Sequence, residues 1–209
     1  MPVIPVPNPL LLDLPEALIG SRVIARPYRD GDGARVAAAV AESRERLLNA
    51  DMPWVKEWDQ SDQGAIFVRR CQAKWAARED LSFGLWDRTT DDYLGGSGLH
   101  RIVWSIPSFE IGYWIRDRFE GMGLVTEAAA LLATYAFESL HAQRVRIRCN
   151  SENARSAAVP QRLGFVHEAT LRNDRRRVDG SLTNTFEFGM TPDDFRALRA
   201  GPWSALLST

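Results

Sequence analysis

The stretch RFEGMGLVTEA, residues 118–128, combines residue types that are suited to binding a phosphate group. Gly121 and Gly123 permit positive φ angles and let a ligand approach the backbone. A helical pattern begins directly after them, and a helix N-terminus offers unpaired N–H groups and a partial positive charge. Arg118 adds a cation. The stretch therefore predicts a phosphate cradle, with a plain strand-to-helix turn as the alternative interpretation.

The elements around this loop follow from hydrophobic patterning. SFEIGYWI (108–115) is a predicted strand, and apolar residues recur at helical spacing from Leu124 onward. RVRIRC (144–149) alternates arginine with apolar residues, as a half-buried strand does. NARSAAVPQRL then predicts a short helix with Asn153 or Ser151 near its N-cap. The loop therefore connects a strand to the helix of a β-α-β crossover.

The remaining patterns complete a mixed sheet. Strands are predicted at 22–28, 81–87 and 92–104, and at GFVHEATLRN and SLTNTFEFGM on either side of the turn DRRRVDG. Helices are predicted from Ala34 to Leu47 and after Asp62. The order βααβββαβαββ predicts a mixed α/β fold. Its central, mostly antiparallel sheet contains one β-α-β crossover and carries helices on both faces.

The chain is predicted to form one domain with two short extensions. Residues 1–20 are rich in proline and carry no early cation, so they predict an extended arm rather than a signal peptide. No linker or repeat divides residues 21–191, and residues 192–209 are predicted to be a C-terminal tail. The arm's leucines that are available to pack on the domain are Leu10, Leu11, Leu12 and Leu14.

The composition excludes several classes of protein. With 209 residues, 45% hydrophobic and 25% charged, the chain can bury one core. A formal net charge of −1 gives no global attraction to nucleic acid. No segment reaches the ~20 apolar residues that a membrane span requires. Cys71 and Cys149 cannot form a disulfide framework and lack metal-ligand spacing, which agrees with a reducing cytoplasm.

Three motifs occur in a set order within roughly residues 20–191. RFEGMG (118–123) is similar to a Q/R-x-x-G-x-G/A pyrophosphate loop. Asn153 and Ser156 match an N-x-x-S element, and LGF (163–165) matches a strand entry. Each motif alone is weak, but three in order are fairly specific. Together they resemble the GNAT superfamily of acyl-CoA N-acyltransferases, and within it the branch of the RimJ/RimL ribosomal-protein N-acetyltransferases.

The resemblance implies acetyl-CoA as the co-substrate, with no metal. Backbone N–H groups of the glycine loop would bind the CoA pyrophosphate, and Arg118 would add a charge-assisted bond. In the family the two strands flanking the crossover splay apart, so the pantetheine arm lies against free backbone groups of the first strand. The implied cofactor-binding residues are Tyr113, Trp114, Ile115, Arg118, Gly121, Met122, Gly123, Leu124, Asn153 and Ser156.

The implied reaction is direct attack of an amine on the thioester, in which a general base and a general acid are each worth about 10²–10⁴-fold. Glu110 is the predicted base, because it opens the strand that would carry the thioester and shares a face with Gly112 and Trp114. Glu168 and His100 are alternatives for the base. The alternative is that Glu110 is a solvated glutamate at a strand end with no catalytic role.

The sequence departs from the superfamily at the expected acid. Many members place a tyrosine four residues before the glycine of the G-F pair, where this chain has Pro160. Pro160 lacks an N–H group and crowds the carbonyl of Ser156, so a kink is predicted and no phenol is expected there. Ser156 is then the predicted acid or sulfur ligand, and a structural first-turn serine is the alternative.

The resemblance therefore implies a cytoplasmic N-acetyltransferase that acts on a primary amine. The acceptor could be a protein N-terminus, as for RimJ/RimL, or a small amine, and Trp54 and Trp58 are candidates for lining its pocket. A non-catalytic acyl-CoA-binding module is the competing function, and Pro160 supports it. The arginines of DRRRVDG favour a solvated turn over an RNA contact. No membrane is implied, and a homodimer is a possible assembly.

Overall fold

The computed structural model of the protein describes residues 8–50, 52–58, 62–199, 201 and 203. The helices are α1 (Gly33–Glu42), α2 (Arg44–Asn49), α3 (Gln63–Ala77), α4 (Leu124–Glu138), α5 (Ala154–Arg162) and α6 (Pro192–Arg199). The strands are β1 (Leu18–Ile19), β2 (Val23–Pro27), β3 (Leu81–Asp87), β4 (Tyr93–Val103), β5 (Ser108–Ile115), β6 (Arg144–Asn150), β7 (Val166–Arg176) and β8 (Leu182–Met190). Short 3₁₀ turns occupy Pro9–Leu11, Pro53–Glu57 and Asp117–Phe119.

The strands form one sheet in the order β1-β2-β3-β4-β5-β6-β8-β7. Every neighbouring pair is antiparallel except β5 and β6, which are parallel and are connected through α4. The predicted mixed α/β fold with one β-α-β crossover is confirmed. The crossover matters for function because it places the start of α4 beside the ends of two parallel strands.

Strands β5 and β6 separate partway along their length. Their pairing ends where Glu110 faces Arg146, although β5 continues to Ile115 and β6 to Asn150. Parallel strands normally share evenly spaced hydrogen bonds along their full overlap. The separation therefore leaves an open wedge between the carboxyl ends of the two strands. The splay implied by the family resemblance is present in this chain.

Two clusters of apolar side chains hold the sheet to its helices. The larger one joins α4 to the central strands, and Phe109 and Ile111 of β5 are each 1% exposed in it. Burying such side chains contributes about 1.5–3 kcal/mol each. The smaller cluster lies between α1, α3 and the strands β3 to β5, around Trp86 and Tyr93. The two clusters fix β5 from both sides, which makes it a rigid base for a site.

The helix predicted from Ala34 to Leu47 is divided at Ser43. Ser43 is fully buried, has φ −100° and ψ 9°, and separates α1 from α2. Its hydroxyl oxygen accepts the N–H of Asp117 at 3.2 Å. A serine side chain that bonds a distant backbone group competes with helix continuation. The break therefore ties α2 to the loop that follows β5, which alternating hydrophobicity does not reveal.

The N-terminal arm is only partly extended, and its first seven residues lie outside the described part of the chain. It includes a 3₁₀ turn and ends in β1, which pairs with β2. Leu12 and Leu14 pack on the core, as predicted. Leu10 and Leu11 do not, since they are 59% and 79% exposed. The turn at Pro9–Leu11 directs these two side chains into solvent.

The predicted C-terminal tail contains structure that packs on the core. Helix α6 places Phe195 against Phe137, with ring centroids 4.8 Å apart. Trp203 is 1% exposed, and its indole N–H donates to the carbonyl of Leu163 at 3.1 Å. The predicted tail is thus partly helical, and two large aromatic side chains anchor it on the domain.

Two of the three arginines of the predicted turn DRRRVDG, residues 174–180, belong to strand β7. Arg175 and Arg176 lie within that strand, and the turn itself begins at Arg177. Irregular pairing between Leu171 and Arg175 allows β7 to continue past the predicted boundary. The correction changes the orientation of these side chains, since alternate residues of a strand point to opposite faces.

Candidate active site

The loop between β5 and α4 forms one end of an open groove. Gly121 and Gly123 have φ angles of 76° and 77°, where any other L-residue is strained. Gly123 is the N-cap of α4, so the first N–H groups of the helix open into the groove. Among the described residues, no acceptor takes the N–H groups of Gly121, Met122 or Gly123. This loop can therefore bind an anion through its backbone.

A buried carboxylate supports this loop from behind. Glu127, in the first turn of α4, is 1% exposed and accepts the N–H groups of Arg22 at 2.7 Å and Val23 at 3.1 Å. Its other oxygen accepts Nε of Arg22 at 3.0 Å. Nη1 of Arg22 donates to the carbonyl of Met122 at 2.9 Å. Strand β2 is thereby tied to the glycine loop, and the guanidinium of Arg22 lines the groove.

Arg118 does not reach the groove in this structure. Its guanidinium lies 3.3 Å from the carboxylate of Asp92 and 4.7 Å from the ring centre of Phe119. These two contacts keep the guanidinium of Arg118 outside the groove. The arginines that do line the groove, besides Arg22, are Arg46, Arg155 and Arg162.

The groove continues along the free edge of β5. Tyr113, Trp114 and Ile115 line it beyond the last pairing with β6. Their other edge is paired with β4, so the strand is held while one edge remains open. The guanidinium of Arg46 donates to the carbonyl of Ile115. The groove thus offers backbone hydrogen-bonding groups along a strand, followed by a helix N-terminus.

Helix α5 forms the opposite wall and brings Ser156 to the site. The Asn153 side chain accepts the N–H of Ser156 at 3.0 Å, so the predicted N-cap is confirmed. Pro160 cannot bond the carbonyl of Ser156, and the hydroxyl of Tyr113 donates to that carbonyl at 2.8 Å instead. The Ser156 hydroxyl donates to the oxygen of Tyr113 at 3.4 Å.

A phenol is therefore present beside Ser156 despite the proline at 160. Position 160 supplies no phenol, but Tyr113 brings one from strand β5. Burial raises the pKa of Tyr113 well above its ordinary value, and the bond with Ser156 only partly opposes this. The phenol consequently keeps its proton near neutral pH. It can donate a hydrogen bond there, but it does not readily become an anion.

A second pocket, with a volume of about 350 Å³, adjoins the groove. Tyr113, Trp114, Asn153 and Ser156 line both spaces. Two ligands lying in the groove and in the pocket would therefore meet at these side chains. The junction is where a group transfer between them would occur.

Aromatic rings form one wall of this pocket. Trp54 lies 5.9 Å from Trp58 and 5.9 Å from Trp114, measured between ring centroids. Phe67 lies 5.6 Å from Trp58 and 5.1 Å from Tyr28. Trp54 and Trp58 pack on the core and also line this pocket, and their contact with an acceptor stays a prediction. Such a wall favours apolar or flat groups.

Glu110 lies in the polar wall of the same pocket. Its side chain is 15% exposed and faces Nε of Arg146 at 3.2 Å and Nε of Arg101 at 3.4 Å. Glu110 is also directly opposite His100 in the pairing of β4 and β5. The carboxylate is thus held between two guanidinium groups rather than freely solvated. Glu168, the other carboxylate named from the sequence, is paired with Arg144 and does not line the pocket.

His100 forms a hydrogen-bonded pair with Asp80 inside this wall. Burial raises the pKa of Asp80, but hydrogen bonds from His100 and Ser82 and nearby positive charge together hold this pKa below its ordinary value. The ionised carboxylate can only accept, so Nδ1 of His100 donates to it at 2.7 Å. A Cβ atom at Gly98 or Gly112 would lie 2.5 or 3.0 Å from the imidazole. These glycines make room for the ring and leave Nε2 available.

Neither a metal cluster nor a membrane helix is found in the described part of the chain. No group of three or more His, Cys, Asp or Glu side chains there could hold a metal ion. No helix among those residues is long and apolar enough to cross a bilayer.

Comparison with known proteins identifies the family. The family model described as "Acetyltransferase (GNAT) domain" matches residues 22–166. The chain belongs to the GNAT acetyltransferase family. The matched range includes the glycine loop, Glu110 and Ser156, and it ends at the first residue of β7. The family resemblance stated from three short motifs is confirmed.

Individual relatives agree with this assignment. YdaF of Bacillus subtilis (strain 168) is 44% identical over 79 residues, which is 38% of this GNAT chain and 43% of YdaF. That match thus spans less than half of YdaF. The ribosomal protein uS5-alanine N-acetyltransferase of Escherichia coli (strain K12) is 26% identical over 186 residues, covering 85% of this chain and 92% of that enzyme.

Solved structures of the same fold include two with bound nucleotides. RimL, a ribosomal L7/L12 α-N-protein acetyltransferase in complex with coenzyme A, superposes with a TM-score of 0.79 over 86% of this chain and 99% of RimL, at 16% identity. The microcin C7 self-immunity acetyltransferase MccE, in complex with acetyl-CoA and AMP, gives a TM-score of 0.76 at 18% identity, covering 82% and 93% of the two chains. At these identities the likeness establishes the GNAT fold alone.

Sequence reasoning missed Arg22, Glu127 and Asp80. Glu127 occupies a position between Leu124 and Leu131 on the apolar face of its helix, so the helical spacing already marked it as buried. Arg22 and Asp80 carry no comparable signal, because each lies at the start of an ordinary strand. Their roles depend on contacts with residues distant in the chain.

Proposed function

We propose that this GNAT protein transfers the acetyl group of acetyl-CoA to a primary amine held in the aromatic pocket. The groove supports this, because unpaired N–H groups at Gly121 to Gly123 and a free strand edge suit a pyrophosphate and an amide-containing arm. When bound, acetyl-CoA supplies the activated acyl group. The main support for this proposal is that the groove and the pocket share Tyr113 and Ser156 at their junction.

The acceptor amine needs to lose a proton before or during attack. Glu110 is our proposed general base, since it lines the acceptor pocket on the strand that forms the groove. His100 is the competing candidate, because Asp80 holds its Nδ1–H and leaves Nε2 to accept a proton. The two side chains lie on paired positions of β4 and β5, so either can serve an amine in the same pocket.

The departing thiolate needs a hydrogen-bond donor more than a strong acid. A free thiol has a pKa of about 8.5, so thiolate is a tolerable leaving group near neutral pH. The Ser156 hydroxyl is our proposed donor, and Tyr113 is the group that orients it. We propose that Arg118 also binds the phosphates of CoA, once its guanidinium has left Asp92. Arg22 already lines the groove.

The proposed acceptor is the N-terminal amine of a protein. Support comes from the relative that is named for an alanine of ribosomal protein uS5 and from the RimL neighbour, named for ribosomal L7/L12. Small primary amines remain the second class of acceptor. A protein N-terminus is flexible and enters a narrow pocket as a single extended chain. The pocket volume of about 350 Å³ is sufficient for its first residues.

A thiol-release assay tests the proposed function. Acetyl-CoA is incubated with the protein and a panel that contains peptides with different N-terminal residues and several small amines. The proposal expects stoichiometric CoA release with at least one primary amine, together with an N-acetyl product seen by mass spectrometry. CoA binding without release on any amine would instead support the non-catalytic acyl-CoA-binding module.

A further inference from the structure

One cation in the acceptor pocket has no carboxylate partner within the described chain. Arg175 lies on β7, is half-buried and lines the pocket. Its Nε donates to the hydroxyl oxygen of Thr185 at 3.2 Å, and this is the one hydrogen bond the described residues give it. Both terminal nitrogens of the guanidinium are consequently left for water or for a ligand.

The neighbouring arginines differ from Arg175 in this respect. Arg148, the other arginine of the pocket, pairs with Asp174 at 2.6 Å and Glu187 at 3.4 Å. On the same sheet, Arg146 pairs with Glu110 at 3.2 Å and Arg144 pairs with Glu168 and Glu187. These three arginines are therefore neutralised by carboxylates. Arg175 also lines the pocket, but none of the described carboxylates pairs with it.

The charge balance of the pocket follows from these pairs. Glu110 is offset by Arg146 and Arg101, and Arg148 is offset by its two carboxylates. The guanidinium of Arg175 has no such carboxylate among the described residues, and it lines the same pocket as Ser156. A half-buried cation without a partner is costly, and an anion on the ligand would remove that cost.

We infer that the acceptor carries a carboxylate close to its reacting amine and that Arg175 binds this carboxylate. The inference rests on the proposed acetyl transfer and specifies its substrate class. The planar guanidinium bonds a carboxylate through two parallel N–H groups, which fixes the orientation of the acceptor as well as its affinity. The carboxylate comes either from an amino acid or from an acidic residue near a peptide N-terminus.

Paired acceptors that differ only in one carboxylate test the inference. The first pair is L-phenylalanine and L-phenylalaninamide, and the second is a tetrapeptide amide with either Asp or Asn at its second position. We expect the wild type to favour the acid of at least one pair by roughly 10- to 100-fold in kcat/KM. Arg175→Gln is expected to remove that preference while changing the rate on the neutral acceptor by less than about threefold.

Arg176→Gln is the matched control. Arg176 is the next residue of β7, is exposed, and donates to the carbonyl of Gly180 at 2.7 Å. It is expected to keep the wild-type preference. Comparing the acid-to-amide ratio between variants cancels the difference in amine basicity within each pair. The pair that responds identifies the source of the carboxylate as an amino acid or an acidic peptide.

The possible outcomes separate this inference from the proposed function. Acetylation of neutral and acidic acceptors at equal rates by the wild type would overturn the role of Arg175 and leave acetyl transfer intact. An equal loss on both members of a pair in Arg175→Gln would make the residue structural, which also contradicts the inference. Absence of thiol release with every acceptor would contradict the proposed function itself.

Discussion

The groove is formed mainly by backbone groups, whereas the pocket is formed mainly by side chains. The groove uses backbone groups of one continuous segment, from Tyr113 to Thr126, with α5 as its second wall. The pocket uses side chains from α1, α3, α5, five strands and the loop around Trp54. Backbone recognition of a constant ligand requires glycines and a helix terminus at fixed spacing. Side-chain recognition of an acceptor can change one residue at a time, so the two halves of the site can vary independently.

Removal of the proposed general base is expected to have the largest effect. Glu110→Gln is expected to lower kcat by roughly 10²–10⁴-fold and to leave acetyl-CoA affinity unchanged, because the carboxylate belongs to the pocket. The measurement is the pH dependence of kcat alongside a CoA titration. His100→Gln is expected to cost less than tenfold. If His100→Gln instead lowers kcat more than Glu110→Gln does, and Asp80→Asn resembles His100→Gln, then His100 supported by Asp80 is the general base.

The support behind the groove is tested through stability. Glu127→Ala leaves the N–H groups of Arg22 and Val23 without their acceptor, and we expect a loss of about 2–4 kcal/mol in the free energy of unfolding. Urea denaturation measures it. Glu138→Ala, on the last turn of the same helix, removes an exposed pair with Arg199 and is expected to cost at most about 0.5 kcal/mol.

Equal effects of the two substitutions would show that the buried hydrogen bonds of Glu127 contribute no more to stability than an exposed ion pair. A large loss confined to Glu127→Ala, accompanied by weaker CoA binding, would link the buried carboxylate to the glycine loop. The comparison predicts that acceptor preference, measured at saturating CoA, does not change in either variant.

The smallest expected effects concern the junction, where the two regions share residues. Ser156→Ala and Tyr113→Phe are each expected to lower kcat by about tenfold, equivalent to ~1.4 kcal/mol, or one hydrogen bond. A loss above ~10³-fold in Ser156→Ala would make its hydroxyl an essential acid instead.

A double-mutant cycle isolates the structural part of Tyr113. Pro160→Ala restores an N–H group for the carbonyl of Ser156, which Tyr113 now satisfies. Tyr113→Phe is therefore expected to destabilise the wild type by about 1 kcal/mol and the Pro160→Ala variant by much less. Identical costs in both backgrounds would mean that the phenol does not compensate for the proline.

The same contrast explains what the sequence could reveal. The glycine turn before a helix, the cap near Asn153 and the β-α-β crossover follow from local patterns, and they were predicted correctly. The pairing of His100 with Asp80 spans 20 residues and that of Arg22 with Glu127 spans 105, so no short-range spacing records them. Tyr113 illustrates the intermediate case. Its position was predicted to touch the ligand, but its bond to the carbonyl freed by Pro160 required the packing of β5 against α5.

The central claim is that the backbone at Gly121 to Gly123 binds the phosphates of CoA, and calorimetric titration of the Gly123→Val variant tests it most directly. Valine at φ 77° is strained by about 1–3 kcal/mol, so the loop must leave its conformation. We expect CoA affinity to fall by roughly 10- to 100-fold, binding of pantetheine, which lacks the phosphates, to stay unchanged, and the circular dichroism spectrum to remain native. A folded Gly123→Val protein that binds CoA as tightly as the wild type would contradict the claim.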